Sequence, residues 1–294
     1  MLYQLERNYQ CMHMTRLLLI LILVVSLLAG CGNRGIPVIK QELLDQKMSV
    51  LMLSSSGLSA SAKDVLGQTL KNWRDGNSIA YEWVKDLNAL DDNVVSNLKS
   101  KSYDYIYVVG NELFPSANEK MALGLTTSKW TFLQSQPWAE GSAVTVNEQA
   151  SLLQLDLQQM ETMKNKAIQD LLFQNVVIEW VTQSERPIPS AWAPSEEADH
   201  IVLLNNNNQW FQQLSFQVHQ HHATWVIFYS PASAEQLQKA KTLGVSVMDF
   251  SGAVSADLNW AQILDNRLAA MKTHNWQKGI QTYNAQELKE LKMK

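Results

Sequence analysis

The chain offers few side chains of the reactive types. Its two cysteines, Cys11 and Cys31, both fall within the first 31 of 294 residues. That removes thiol nucleophiles, disulfide frameworks and Cys-ligated zinc or iron–sulfur sites from everything downstream. Three of the six histidines cluster as His219, His221 and His222. On a helix His219 and His222 share a face, but no acid follows at a supporting spacing and there is no H-E-x-x-H pattern. The cluster reads as a solvated helix end favoured by the helix dipole, and no metal site is expected. No serine lies in G-x-S-x-G, and Walker loops, G-x-G-x-x-G and recognisable carboxylate pairs are missing, so no catalytic residue and no cofactor are expected and the chain reads as a non-enzyme. What remains is a set of polar and aromatic residues at the ends of strand-like runs: Ser54, Ser55, Ser56, Asn111, Glu112, Gln134, Trp138, Tyr229, Ser230 and Asp249. Ligands of doubly wound sheets meet the loops at the carboxyl ends of the strands. Trp138 and Tyr229 suit stacking on a ring, and Asn111, Gln134 and Asp249 suit its polar edge. The same residue types are also ordinary loop caps and turn formers, and that reading stands beside the first.

The elements that must position them follow from hydrophobic periodicity. Ser49 to Leu53 reads as a strand, Ser54 to Gly57 as a polar loop, and Ala60 to Trp73 as a helix carrying Ala62, Val65, Leu66, Leu70 and Trp73 on one face. Strands at Ser78 to Val84 and Tyr103 to Val109 flank a helix at Leu90 to Leu98, and short strands follow at Trp130 to Leu133 and Ala143 to Val146. Asn147 to Ile168 reads as one long amphipathic helix, Val176 to Val181 as a strand, and Ser184 to Pro194 as a Pro-rich loop. After Ile201 to Leu204, a helix is expected over Trp210 to His221. Thr224 to Tyr229, Ala232 to Leu243 and Val245 to Phe250 then form a strand–helix–strand unit with Gly244 as helix stop, and Ala256 to His274 reads as the last long helix. Repeated units with short joins predict an α/β fold of two Rossmann-like lobes with parallel sheets, lobe 1 about 48–146 and lobe 2 about 147–294, with a cleft between them.

Composition bounds the function. At 46% hydrophobic and 18% charged the chain can build a large core, and 24 Lys+Arg against 28 Asp+Glu give a net charge of -4. No basic excess is available to neutralise a phosphate backbone, so nucleic acid is not an expected partner. From Leu17 to Leu28 the sequence LLLILILVVSLL has the length of a signal-peptide core and is short for a permanent span. Leu28-Ala29-Gly30-Cys31 then resembles a bacterial lipobox, which implies cleavage before Cys31 and acylation of that residue by diacylglycerol and palmitate. Residues 1–30 are thus expected to be a signal peptide, with Met1, Met12 or Met14 as its start, and 31–47 a lipidated tether. The body from 48 to 294 would face outside the cytoplasm at the cell membrane, held by its acyl chains without a crossing helix.

The stretch TWVIFYSPASAEQLQKAKTLGVSVMDFSG, Thr224 to Gly252, resembles the second-lobe unit of the basic-membrane-protein lipoproteins, with Asp249 at the matching strand end. Asn275-Trp276-Gln277-Lys278-Gly279 is similar to the segment after that family's last helix, and Ala143 to Leu155 to its strand and helix after the first lobe. The resemblance implies a type I periplasmic-binding-protein fold and places the chain near purine-nucleoside binders and Med-type regulators. Nucleoside-binding members carry an Asp in the loop after the first strand, whereas this chain has Ser54-Ser55-Ser56-Gly57-Leu58. The charge-assisted hydrogen bonds that hold a furanose diol most strongly are missing from that loop, which counts against nucleoside binding. Two readings follow: an anchored lipoprotein that closes on a small polar ligand such as a nucleoside and works with a transporter or other envelope protein, or a regulatory or interaction lipoprotein that kept the fold and lost the ligand.

Overall fold

The computed structural model describes residues 47–137, 148–192, 199–205 and 207–294. The expected leader, Cys31, Trp138 and the strand expected at Ala143 to Val146 lie outside them. From Lys47 the chain runs through β1 (Ser49–Ser55), α1 (Ala60–Asn77), β2 (Ala80–Leu87), α2 (Asp92–Ser100), β3 (Tyr105–Val109), α3 (Phe114–Ala122), β4 (Lys129–Leu133) and β5 (Ala150–Gln154). It continues through α4 (Leu157–Phe173), β6 (Ile178–Thr182), β7 (Ile201–Leu203), α5 (Trp210–His221), β8 (Trp225–Phe228), α6 (Ala234–Lys241) and β9 (Ser246–Asp249), and ends with β10 (Val254–Leu258), α7 (Trp260–Lys272), β11 (Gly279–Thr282) and β12 (Leu288–Met293).

Two parallel sheets result, the α/β architecture in two lobes that the alternation predicts. The first has six strands in the order β11-β5-β4-β3-β1-β2, the second four in the order β7-β6-β8-β9, and β10 pairs antiparallel with β12. Strands β1, β3 and β4 read as near-continuous apolar runs because both faces of the first sheet are covered. On one face Val50, Met52, Tyr107 and Val109 meet α1 and α7; on the other Leu51, Leu53, Ile106 and Val108 meet α2 and α3. In the second sheet Trp180 and Ile227 belong to one core, and Val181, Val226 and Phe228 to the other.

Two expected helices are each a strand followed by a shorter helix. Within Asn147 to Ile168, Ala150 to Leu153 are all buried and hydrogen bonded to β4 in register, and the helix begins only at Leu157. Within Ala256 to His274, Val254–Leu258 pairs with β12, and the helix begins at Trp260. The physical break is the same in both places. Asp156 accepts from the amides of Gln158 and Gln159, and Asn259 from that of Gln262, so each starts a new helix inside a stretch that apolar spacing alone runs together.

The first sheet takes in β5 and, from the chain's far end, β11, whose residues Gly279 to Thr282 pair with Ser151 to Gln154. Helix α4 belongs to two cores at once: Met160 packs with the first sheet's cluster, and Ile168, two turns on, with the second's.

Candidate functional site

In the first sheet the strand order reverses between β1 and β3, so the loops after these strands diverge and leave a crevice at their carboxyl ends. The loop after β1 is held by its own serines. Ser54 is buried and its hydroxyl accepts from Trp83 Nε1 at 2.9 Å; buried Ser55 accepts from the Gly57 amide at 3.0 Å; Ser56 donates to Asn88 Oδ1 at 2.5 Å. Ser59 then caps α1 by accepting from the Ala62 amide. After β3 the chain turns through Gly110 at φ +109°, where a Cβ would lie 2.4 Å from the Ser55 Cβ, so only glycine can hold the turn.

Glu112 stands over this pair of loops. A Cβ on Gly57 would meet its Oε1 at 2.9 Å, and one on Gly110 its Oε2 at 3.1 Å, so the carboxylate lies across both glycines at the reversal point. The residue is exposed and makes no hydrogen bond or ion pair among the described residues. Its neighbour Asn111 instead spans to the loop after β4, accepting from the amides of Ser135 and Gln136 and donating to the Gln136 carbonyl at 2.8 Å.

Beside Gly57 a cavity of about 320 Å³ opens between Ser59, Ser135 and Gln136 on one side and Asn259 and Trp260 on the other. Its lining comes from the loops after β1 and β4, the start of α1, β10 and its junction with α7, and Lys289 of β12; none of these residues belongs to the second sheet. The rim carries Asp257 and Lys289 at 3.7 Å, both about half exposed, a pair that contributes little energy but places both signs of charge at the mouth.

The remaining expected contacts are occupied by the fold. Gln134 is buried, its Oε1 accepting from the Leu155 amide at 2.6 Å while its carbonyl accepts from Tyr283 Oη at 2.7 Å. Ser230, also buried, lies 2.9 Å from Thr182 Oγ1 and accepts from the Gln183 amide, closing the loops after β6 and β8 together. Tyr229 does not present a free stacking face: it packs edge-on to Trp192 at 5.9 Å and tilted against Phe250 at 5.5 Å, and burial and then the Glu161 charge raise its pKa. Asp249 accepts from the Ser251 amide and hydroxyl and from the Gly252 amide, which makes it the cap of its own turn.

No family model matches the chain, and no curated protein does. Solved structures do resemble it. A ligand-free, open substrate-binding protein with adhesive properties from Clostridium difficile is 12% identical with a TM-score of 0.45, over 79% of this chain and 89% of that one. A sugar ABC transporter structure from Yersinia enterocolitica is 12% identical with a TM-score of 0.43, over 84% of each chain. The transcription regulator CcpA of Lactococcus lactis is 9% identical with a TM-score of 0.41, over 84% of this chain and 99% of that one. They share little sequence with it.

Two residues that periodicity does not mark lie together at the second sheet, away from the crevice of the first. Glu179 is wholly buried in β6, and His200, just before β7, approaches it. The sequence carries one signal for this: a single acid inside the apolar run Val176 to Val181. Of the three clustered histidines, His221 also reaches Glu179, His219 lies 2.6 Å through Nδ1 from the Ser215 carbonyl, and His222 ends α5 in a left-handed conformation.

Proposed function

We propose that the chain is an extracytoplasmic binding protein, tethered through Cys31, that takes a small hydroxyl-rich ligand at the carboxyl ends of the first sheet's strands. The observation that carries this reading is the unpartnered Glu112 carboxylate lying across Gly57 and Gly110 at the strand reversal. An ionised carboxylate accepting from two adjacent hydroxyls makes hydrogen bonds about twice as strong as neutral ones. It supplies to the loop after β1 the charge which that loop's own sequence lacks, so a sugar or the ribose of a nucleoside is the ligand class it fits. The neighbouring cavity, with Ser135, Gln136 and Trp260 in its lining, offers further polar groups and one aromatic wall. Closure of the second lobe over the ligand would add contacts from the loops after β6 and β8.

A thermal-shift panel of nucleosides, bases, sugars and amino acids on the full chain tests this. A ligand present at 100 times its Kd stabilises by about 2.7 kcal/mol, a rise of about 5–10 °C for a body of this size. Glu112→Gln is expected to abolish the rise without moving the ligand-free midpoint. Asp249→Ala is expected to lower that midpoint by a few degrees, as losing a turn cap does, and to keep the ligand response. No shift across the panel favours the second reading, an interaction or regulatory lipoprotein. The observation on that side is that Ser54, Ser55, Gln134, Ser230 and Asp249 are all engaged in holding their own loops.

A further inference from the structure

At the opposite end of the second sheet, the amino ends of its strands, three chemically matched side chains converge from three elements. Glu179 stands at the second position of β6, His200 immediately before β7, and His221 at the last position of α5. The Nδ1 atoms of both histidines lie 2.8 Å from the same oxygen, Glu179 Oε1, and their rings are 4.0 Å apart between centroids. One potential ligand atom from each residue falls within 4.8 Å of the others. The carboxylate is wholly buried, whereas the imidazoles keep about a fifth of their surface open.

An ordinary ion pair does not account for this arrangement. Glu179 Oε2 is buried without a hydrogen-bond partner among the described residues. Leaving such an atom bare costs about 1–3 kcal/mol, and more for a charged group. Both histidines nonetheless crowd the other oxygen, where two imidazoliums side by side would repel. A divalent cation among the three would take two neutral imidazoles and one carboxylate and leave no like charges adjacent, and binding through both carboxylate oxygens would give Oε2 its partner. His₂Glu is a ligand set that zinc uses when a fourth position stays open to water. Zinc–ligand bonds of about 2.0–2.2 Å separate tetrahedral ligand atoms by about 3.3 Å, so the two 2.8 Å contacts need to open by only about half an ångström. The carboxyl end of α5, directly at His221, adds the negative end of a helix dipole. One turn back on the same helix, Gln217 Oε1 is a second buried atom without a partner among the described residues.

We propose that Glu179, His200 and His221 form a binding site for a divalent transition-metal ion of the zinc type. The site is independent of the ligand crevice, which lies at the carboxyl ends of the first sheet's strands, so neither proposal falls with the other.

The test is calorimetric titration of the chelator-stripped full chain with Zn²⁺, supported by the visible absorption of Co²⁺. One equivalent of Zn²⁺ and a tetrahedral Co²⁺ spectrum are expected. His200→Asn leaves the His221–Glu179 pair in place, so the fold has its partner for the buried acid, and it is expected to weaken Zn²⁺ binding by at least about tenfold, the loss that even outer-shell changes cause. The pair His200→Asn with His221→Asn is expected to abolish it, with a far-ultraviolet spectrum confirming the fold. His219→Asn with His222→Asn is expected to bind as the parent does. The proposal is overturned if the parent chain takes up no Zn²⁺, if the single His200 variant binds unchanged, or if the His219/His222 pair carries the binding.

Discussion

Glu82 shows how a single residue's partners decide what it does. Its carboxylate accepts from Lys101 Nζ at 2.5 Å, Tyr103 Oη at 2.7 Å and Asn97 Nδ2 at 3.1 Å, tying β2 to α2 and to the approach to β3. The Lys101 hydrogen bond first, and the Tyr103 hydrogen bond second, hold its pKa below the ordinary carboxylate range against a smaller effect of burial. Because the folded pKa lies below the unfolded one, its stabilisation is complete above the unfolded value and is lost as pH falls through the folded one. Urea midpoints measured from pH 7 to pH 3 should therefore fall less steeply for Glu82→Gln than for the parent chain, with the two curves converging at the acid end. Candidate contacts were legible in the sequence only as residue types at strand ends. Ser54 and Gln134 stand at such ends, yet Trp83 and Leu155, far along the chain, take the Ser54 hydroxyl and Gln134 Oε1, and no local pattern encodes that. Glu112 was legible as a candidate for the same reason, and what the structure adds is its place over two glycines.

At the scale of elements, most strands and helices follow from period and punctuation, and the misreadings share a cause. Asp156 and Asn259 are capping residues that interrupt apolar spacing without breaking it, so a strand and a helix read as one helix. Strands β11 and β12 escaped altogether: β11 is an edge strand alternating half-buried and exposed residues, and its partner β5 is far away in sequence. Helix α4 carries the prediction at this scale. Met160 and Ile168 are both buried, and truncating either to Ala should cost about 2–5 kcal/mol. They anchor different cores on one rigid rod, so each change is expected to reach the other lobe. Hydrogen exchange is the measurement: Ile168→Ala should speed exchange of β1 and β3 amides, and Met160→Ala those of β6 and β8. Acceleration confined to the mutated residue's own lobe would mean that the two cores unfold separately.

For the whole molecule, the α/β class and the pair of parallel sheets were legible because strand–helix alternation with short joins admits few other topologies. The return of the chain to its first sheet was not, since pairing across that separation leaves no periodic trace. No helix among the described residues is long and apolar enough to cross a membrane. If anchoring is by acylation, as Leu28-Ala29-Gly30-Cys31 implies, Cys31→Ser should abolish incorporation of labelled palmitate and release the body from the membrane fraction; label retained by that variant would sink the assignment.

The place of β11 also sets a schedule for synthesis. Until Gly279 to Thr282 have left the ribosome, β5 is the outer strand of a growing sheet and offers an unpaired row of amides and carbonyls. At about 5–20 residues per second, the second lobe must be made in full while that edge stands open. Nascent chains are therefore most exposed to edge-to-edge aggregation in this interval, and a chain cut short just before Gly279 would keep the open edge permanently, with nearly all of its core sequence present.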